Sequence, residues 1–313
     1  MNKEILRCFN HDYRAPGFYM VTVTTQIRRP WFGVCENMRC TLNEDGWLVH
    51  NLWRRIAEDY PQIAVSTLCI MPDHVHGILH VKEQMQKPLD VAVRAFKSQA
   101  TSALRKKRKD PAFTLWSPGY NDRCVWRRGS LAAFTRYILD NPRRYCLKQA
   151  HPEYFHTVAE LQHPALPAGQ QWSGYGNRFL LDRPEKRAIR VSRKAAPEAI
   201  AALRGEVATD AAQGVVVVSP FISPGEKEIA TSVLTSHTGD VILMKHDGFP
   251  PFFKPKGKYF DLCVQGRLLI ITSSVFRVHA ESSPVFGVHA ELTREACLAM
   301  NAACAQISEY QHT

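Results

Sequence analysis

The sequence predicts a two-domain protein, an α+β domain followed by a smaller α/β domain. Strand-length runs of β-branched and apolar residues alternate with longer stretches whose apolar residues recur at helical spacing. The 313 residues exceed what one small core needs. The stretch 164–171 (PALPAGQQ) is uncharged and proline-containing, as domain junctions often are. We therefore expect domains over 1–163 and 172–313, joined by a linker over 164–171.

The first domain is predicted to begin with a strand over 18–25 (FYMVTVTT). A helix follows over 43–60, and two strands are expected over 63–70 and 74–81. A second long helix over 89–104 runs into the basic cluster 105–109. This β-α-β-β-α order is typical of a split βαβ, ferredoxin-like layer.

A third helix is predicted in the first domain, over 131–141. Ser130 precedes it as a capping residue. Pro142 is expected to limit the helix, because the residue before a proline disfavours the α region.

The second domain also alternates strands and helices. Strands are predicted over 215–219, 241–244 and 267–272. Helices are predicted over 224–234 and from Thr293, as cap, to about Tyr310. The pattern indicates a doubly wound, Rossmann-like α/β fold. Its first strand leads through Ser219–Lys227 into a helix, and a helix N-terminus of this kind can bind an anion.

Charge and composition restrict the class of protein. The net charge is +11, and residues 1–163 hold 24 basic and 15 acidic residues, as expected of a polyanion binder. No apolar run reaches the roughly 18–20 residues of a bilayer span, and the first ten residues do not look like a signal peptide. Nine scattered cysteines, Cys35 and Cys40 included, are read as reduced thiols of a cytoplasmic protein.

Two histidines are the first candidate for chemistry. His74 and His76 lie two residues apart on a predicted strand, so both side chains project from the same face. Two imidazoles on one rigid edge are a ready pair of metal ligands. The alternative is a pair of surface histidines at a strand start. His80 shares the face and is interpreted as a packing or supporting residue.

Tyr137 and Asn141 are the second candidate. They are four residues apart on a predicted helix and share one face. The amide oxygen of Asn141 could complete a site with His74 and His76, and such a set with open positions suits Mg²⁺ or Mn²⁺. The alternative is a tyrosine packed on the inner face of the helix.

These residue types together point to phosphoryl transfer. A phenol is a weak nucleophile at neutral pH, and a metal ion on the scissile phosphate would neutralise developing charge. The product would be a covalent phosphotyrosine. Exchange of one phosphodiester for another is close to isoenergetic, so cleavage would be reversible.

Five stretches carry a resemblance to a known family. In order, they are PGFYMVTVTTQIRRPWFG (16–33), LNEDGWLV (42–49), IMPDHVHGILHV (70–81), VRAFKSQAT (93–101) and YILDNP (137–142). They resemble the REP-associated tyrosine transposases, which belong to the single-tyrosine HUH transposases, over roughly residues 7–150.

The resemblance implies a ferredoxin-like catalytic domain that cleaves single-stranded DNA, often as hairpins of palindromic repeats. A 5′-phosphotyrosine intermediate and a free 3′-hydroxyl are implied as well. By position, Tyr137 matches the nucleophile, and His74, His76 and Asn141 match the metal ligands. Relatives in this family act as monomers or homodimers, and either state is expected here.

The chain departs from the family between the second and third helices. Ser117 stands where the family has glutamine, and Asn121 separates Tyr120 from the Asp122-Arg123 pair. The segment 126–129 (WRRG) replaces an isoleucine-arginine-asparagine run. These changes bear on DNA preference more than on the metal site.

Basic and aromatic side chains of the first domain are the predicted contacts to DNA. Phosphate contacts are expected from basic residues and base stacking from aromatic ones. The basic candidates are Arg28, Arg29, Lys97, Arg105, Lys106, Lys107, Arg108, Lys109, Arg123, Arg127 and Arg128, and the aromatic candidates are Trp116, Tyr120 and Trp126.

Two other functions fit the first domain, and the second domain has a resemblance of its own. A DNA-binding regulator that does not cut, and a nicking enzyme of the replication-initiator or relaxase type, are the alternatives. In the second domain, 248–261 and 266–269 are similar to the Rossmann-like domain of DNA-processing (DprA-type) proteins. A nucleotide or DNA phosphate site is the corresponding expectation there.

Overall fold

The structure is a computed structural model that describes residues 11–125, 130–235, 239–250, 253–277 and 292–310. The chain divides into two compact units, Met1–Gln149 and Ala150–Thr313. The predicted boundary lay at 163/164, and the observed one lies at 149/150.

Residues 150–171 belong to the second unit for a physical reason. Thr157–Val158 pairs with a strand of the second sheet, and Leu161, Ala165 and Leu166 are buried. The predicted linker 164–171 is therefore part of the second unit rather than a connection between domains.

The first unit contains six strands and five α-helices among its described residues. They are β1 (Gly17–Thr24), β2 (Gly33–Glu36), β3 (Arg39–Leu42), α1 (Glu44–Arg54), α2 (Ile56–Asp59), β4 (Ile63–Met71), β5 (His74–Val81), α3 (Leu89–Arg108), β6 (Asn121–Cys124), α4 (Ser130–Leu139) and α5 (Asn141–Ala150). The side chain of Asn43 accepts a hydrogen bond from the backbone N–H of Gly46, which fixes where α1 begins.

The main sheet of the first unit has the order β4-β5-β1-β6, with every neighbouring pair antiparallel. This order, with α1 after β1 and α3 after β5, is that of a ferredoxin-like fold. The predicted α+β, ferredoxin-like class is confirmed by this strand order.

The two faces of this sheet are covered by different helices. Tyr19, Val21 and Val23 of β1 point into a core shared with α1 and α3. Met20, one position out of phase, packs with Ile78 of β5 and Ile138 of α4 on the opposite face. Because strand side chains alternate, the even-numbered residues of β5 all face α4.

Three local expectations for the first unit are corrected. The predicted helix 43–60 is two helices that meet at Arg55. Pro142 does not end helical structure but stands at the second position of α5, where its missing N–H costs nothing. Cys35 and Cys40, expected as free thiols, face each other across the β2–β3 hairpin and form a disulfide.

The second unit contains six strands and four α-helices among its described residues. They are β7 (Thr157–Val158), β8 (Trp172–Gly176), β9 (Lys186–Ala188), α6 (Pro197–Ala212), β10 (Val216–Ser219), α7 (Pro224–Thr235), β11 (Val241–Met244), α8 (Lys258–Val264), β12 (Leu268–Ser273) and α9 (Arg294–Glu309). Thr293 caps α9 through a hydrogen bond from the Ala296 N–H, as predicted.

The second sheet has the order β7-β8-β12-β11-β10-β9, and β9 to β12 run parallel. Successive parallel strands are neighbours, so the chain winds in one direction only. Residues of α6, α7 and α8 share one core with the sheet, whereas α9 packs against the other face. The predicted doubly wound arrangement is therefore wrong in its winding, because no strand-order reversal occurs among β9–β12.

Candidate active site

His74 and His76 project from the same face of β5, the face covered by α4. Their ring centroids lie 4.6 Å apart. Ile78, the next residue on that face, packs on Ile138 of α4. The strand spacing therefore brings the two imidazoles together as predicted, and the packing of α4 brings a helix alongside them.

The Nδ1 atom of each histidine is engaged by a neighbouring side chain. His74 Nδ1 donates to Asp73 Oδ1 at 2.5 Å, and His76 Nδ1 is hydrogen bonded to Thr22 Oγ1 at 2.8 Å. Contacts of this kind fix the ring and direct Nε2 to the ligand side. Burial raises the pKa of the Asp73 carboxyl, but His74 and Arg28 outweigh it, so the pKa lies below its ordinary value.

Tyr137 lies on α4 and faces this pair. Its ring centroid is 6.0 Å from that of His76, and its side chain is 41% exposed, whereas His76 is 7% exposed. The adjacent Ile138 is fully buried and anchors α4 to the sheet. The phenol is thus held beside the histidines while it remains open to a large substrate.

Asn141 is the first residue of α5 and closes the end of α4. Its Nδ2 donates to the carbonyl oxygens of Tyr137 (2.9 Å) and Ile138 (3.2 Å). This use of the nitrogen leaves Oδ1 as the atom suited to a metal ion. The structure thus places the Asn141 amide against the last carbonyl groups of α4, and its role as a metal ligand stays a prediction.

The donor set fits a divalent metal ion by its chemistry. Both histidines are oriented through Nδ1, and the third donor would be the amide oxygen of Asn141. Across the described part of the chain, no group of three or more His, Cys, Asp and Glu side chains is arranged for a metal.

Three residues of the site escaped the sequence analysis. Arg144 of α5 has its guanidinium carbon 5.9 Å from the Tyr137 ring centroid. Arg144 follows Tyr137 by seven residues, a spacing that places two residues on one face of a continuous helix. It was missed because the predicted helix ended at Pro142. Asp73 and Thr22 were missed as orienting partners, although Thr22 is directly opposite His76 in the sheet. His80 stacks on Phe18 with centroids 4.1 Å apart, consistent with a packing role.

Several predicted phosphate contacts are already engaged within the protein. Lys97 Nζ donates to the carbonyl oxygens of Ser117 (2.9 Å) and Gly119 (2.5 Å), and burial lowers its pKa. Lys107 pairs with Glu44 and Asp45, and Arg108 pairs with Asp45. These three side chains make contacts within the protein. They are therefore less available to bind DNA phosphates than the sequence suggested.

The remaining basic candidates that the structure describes lie on the surface. Arg28 forms an ion pair of 3.2 Å with Asp73, and Arg105 donates from Nε to the Phe113 carbonyl. The other exposed candidates are Arg29, Lys106, Lys109 and Arg123. Arg127, Arg128 and Trp126 lie outside the described residues.

The predicted stacking role of Trp116 and Tyr120 is wrong. The two side chains are only 5% and 7% exposed and belong to the core of the first unit. Trp116 packs against Phe32 and Phe96. Aromatic rings enclosed in this way cannot stack on bases.

The expected anion site at the start of α7 is also corrected. Glu226 is buried, and its carboxylate accepts hydrogen bonds from the backbone N–H groups of Ile222 and Ser223. Ser223 Oγ in turn accepts from the Glu226 N–H, which completes a capping box. The donors that a phosphate would need are taken by a carboxylate of the chain itself.

Comparison with known proteins defines the class of the first unit. Residues 19–141 match the family of IS200-like transposases. An uncharacterized protein of Haemophilus influenzae (strain ATCC 51907 / DSM 11121 / KW20 / Rd) is 28% identical over 161 residues, covering 45% of this chain and 88% of that protein. The solved structure of a REP-associated tyrosine transposase bound to a REP hairpin aligns over 45% of this chain and 74% of its own, with 17% identity and a TM-score of 0.36.

Residues 19–141 are thus similar to the IS200-like transposases. The resemblance to tyrosine transposases that the motifs carried is thereby confirmed, and the first unit is a transposase-type DNA-processing domain. The family match does not extend into the second unit. Among the described helices, none has the length and apolarity that a bilayer crossing requires.

Proposed function

We propose that the protein is a metal-dependent endonuclease and strand transferase of single-stranded DNA, with Tyr137 as the nucleophile. The observation that carries this proposal is the position of the Tyr137 ring, 6.0 Å from that of His76 on the face where both histidines project. The similarity of residues 19–141 to IS200-like transposases supports a DNA-processing activity.

The reaction follows from the chemistry of a phenol. Tyr137 Oη attacks the scissile phosphorus, the bond from phosphorus to the 3′ oxygen breaks, and the phenolic proton passes to solvent while the leaving oxygen becomes a 3′-hydroxyl. The 5′ end stays on the protein as a phosphotyrosine. Attack by another 3′-hydroxyl reverses these events and joins strands. One phosphodiester replaces another, so no ATP is needed.

His74, His76 and Asn141 are the residues that would hold Mg²⁺ or Mn²⁺. The bound cation would neutralise charge that develops on the phosphate during attack. The side chains around it have separate tasks. Thr22 and Asp73 keep the imidazoles oriented, and Arg144 places a positive charge near the phenol ring, where it can contact the substrate phosphate.

The proposed substrate is a DNA hairpin from a palindromic repeat, with unpaired flanks. The first unit supports a nucleic-acid partner through its charge. With the boundary at 149/150, residues 1–149 hold 24 basic and 13 acidic residues, and residues 150–313 hold 16 of each. The whole net charge of +11 therefore resides in the unit that carries the candidate site.

A covalent adduct is the direct test of this proposal. Labelled hairpins with single-stranded flanks are incubated with the full chain and Mg²⁺ or Mn²⁺, and the products are resolved on a denaturing gel. We expect an adduct that chelation of the metal abolishes. We also expect His74→Ala to lose the adduct while it keeps most hairpin binding, and His50→Ala, a histidine on α1, to behave as the unmodified protein.

Other outcomes would overturn the proposal in distinguishable ways. Tight hairpin binding without an adduct across a broad panel would indicate a DNA-binding regulator. Cleavage without joining to a supplied 3′-hydroxyl would indicate a nicking enzyme of the relaxase or initiator type.

A further inference from the structure

A cavity of about 530 Å³ lies beside the loop that follows β1. This volume is within the range of about 300–1,000 Å³ that small ligands occupy. The cavity combines aromatic, basic and acidic side chains: its lining residues are Gln26, Ile27, Arg29, Trp31, Arg108, Asp110, Phe113 and Thr114. None of the chemistry proposed for Tyr137 uses it.

The aromatic walls of this cavity are held in place. The rings of Trp31 and Phe113 meet edge to face, with centroids 5.5 Å apart. The Arg108 guanidinium lies 4.3 Å from the first centroid and 4.6 Å from the second, and it is paired with Asp45. A cation fixed between two rings keeps both from rotating, so the cavity is preorganised.

The rim of the cavity is strained and apolar. Ile27 is 71% exposed and has a φ of +47°, and Arg28 follows with a φ of +57°. Left-handed backbone is unfavourable for a β-branched residue, and such strain is characteristic of functional loops. Hydrogen bonds from Thr25 N to Asp73 O and from Gln26 N to Leu115 O hold the loop in this shape.

The same loop is attached to the candidate active site. Arg28 pairs with the Asp73 carboxylate at 3.2 Å, and that carboxylate accepts the hydrogen bond from His74. The Phe32 N–H also donates to the Pro72 carbonyl at 3.1 Å. The loop at the cavity rim is therefore connected to His74 through the Asp73 carboxylate.

We propose that the cavity binds one unpaired nucleotide of the DNA strand, adjacent to the cleaved phosphate. The base stacks against Trp31 and Phe113, and its phosphate contacts Arg29, which is exposed and lies 5.9 Å from the Trp31 centroid. Ile27 contacts the neighbouring base as an apolar wedge. The proposal rests on the function proposed above.

The cavity also selects among bases. Asp110 is the acidic residue of its lining, and a carboxylate accepts hydrogen bonds but donates none. It favours a base with an exocyclic amino group, as an acidic side chain does when it accepts from cytosine. Adenine, cytosine or guanine is therefore accepted at this position, and thymine is disfavoured.

An abasic scan with a mutant cycle tests the proposal. The probe is the hairpin that gives the strongest adduct, with each flanking base removed in turn, and affinity is measured with Tyr137→Phe so that no cleavage occurs. One abasic position is expected to weaken binding about tenfold, as loss of a stacked base does. In the double variant Tyr137→Phe, Trp31→Ala, removal of the base at the same position should not lower the affinity further. In Tyr137→Phe alone, a hairpin with thymine at that position should bind more weakly than one with cytosine.

Controls separate base recognition from folding. Trp47 is an exposed tryptophan on α1 (54% exposed) outside the cavity lining, so Trp47→Ala should keep the abasic penalty in full. Trp31→Phe retains an aromatic ring and should keep most of the abasic penalty. Melting temperatures of all variants verify that they fold.

Two failures can be told apart. In the first, the hairpin forms the Tyr137 adduct, but each abasic position lowers the affinity of the Trp31→Ala variant as much as that of the protein with Trp31. The proposed nucleotide site is then wrong and the proposed function stands. If no hairpin in the panel forms an adduct or binds, both proposals fall together.

Discussion

Each of the two site histidines is hydrogen bonded through Nδ1 to a neighbouring side chain. Thr22 holds His76, and Asp73 holds His74. The two partners differ in kind, since Thr22 offers a neutral hydroxyl and Asp73 a carboxylate. Loss of either partner should therefore weaken the metal site without unfolding the sheet.

Thr22→Val tests this dependence. The change removes the hydrogen bond to His76 Nδ1 and nearly preserves side-chain shape. We expect Mn²⁺ affinity to fall about 10- to 100-fold, measured by titration calorimetry, with little change in melting temperature. Thr101→Val on α3 removes a hydroxyl that bonds the Lys97 carbonyl and serves as the control. Unchanged Mn²⁺ affinity in Thr22→Val would show that Thr22 does not orient His76.

Tyr19 gives the first unit a pH dependence in the alkaline range. Burial raises its pKa from 10.0 to about 12, and its hydroxyl donates to the Ala15 carbonyl at 2.8 Å. Because the folded pKa is raised, the stabilisation is complete below pH 10 and is lost as the pH rises toward 12. Tyr19→Phe should lower stability at pH 8 but flatten its decline between pH 10 and 12, measured by urea unfolding. An equally steep decline in Tyr19→Phe would contradict this.

At the level of elements, strand β5 contributes side chains to both faces of the first sheet. Its even positions carry the histidines, and its odd positions, Val75, Leu79 and Val81, are buried in the core with α1 and α3. Gly77 is the odd position where a helix side chain approaches most closely. A Cβ there would lie 2.4 Å from Cζ2 of the buried Trp53.

Gly77→Ala should therefore destabilise the first unit by about 1–3 kcal/mol, as overpacking does. Gly205→Ala on α6 is the matched control, because a Cβ there meets nothing within 4 Å. Its helical position predicts a stabilisation of up to about 1 kcal/mol. Denaturant unfolding measures both changes. Equal stabilities of Gly77→Ala and the parent would show that the Trp53 ring moves aside at no cost.

Sequence reasoning succeeded where a local period decides the structure. Alternation along β5 predicted that His74 and His76 share a face, and their ring centroids lie 4.6 Å apart. It failed where tertiary contacts decide. Trp116 lies in a loop, where the sequence shows no periodic pattern. Nothing in the sequence therefore distinguishes an aromatic ring in the core from one that stacks on bases. Likewise, only sheet pairing shows that Cys35 faces Cys40, or that residues 157–158 join the second sheet.

For the molecule as a whole, the separation of charge matters most. The first unit carries all of the excess positive charge, and the second is neutral by formal count. DNA affinity should therefore depend on salt through the first unit alone. The exposed Lys106 and Lys109 near the end of α3 are candidates for phosphate contacts there.

A charge-removal series measures this dependence. Lys106→Gln and Lys109→Asn together should reduce the slope of log affinity against log salt by about 0.7 per lost contact to a single strand. Asparagine is chosen because Lys109 has a φ of +54°. Lys227→Gln in the second unit should leave the slope unchanged. A slope altered by Lys227→Gln instead would place DNA on the second unit.

The identity of the nucleophile is the central claim, and mapping the adduct tests it most directly. The adduct is trimmed with nuclease, digested with trypsin and sequenced by tandem mass spectrometry. We predict a nucleotide on Tyr137, in the peptide 137–143, and loss of the adduct in Tyr137→Phe but not in Tyr145→Phe. A nucleotide on the peptide 145–148 or on any other tyrosine, or an adduct that persists in Tyr137→Phe, would contradict the assignment.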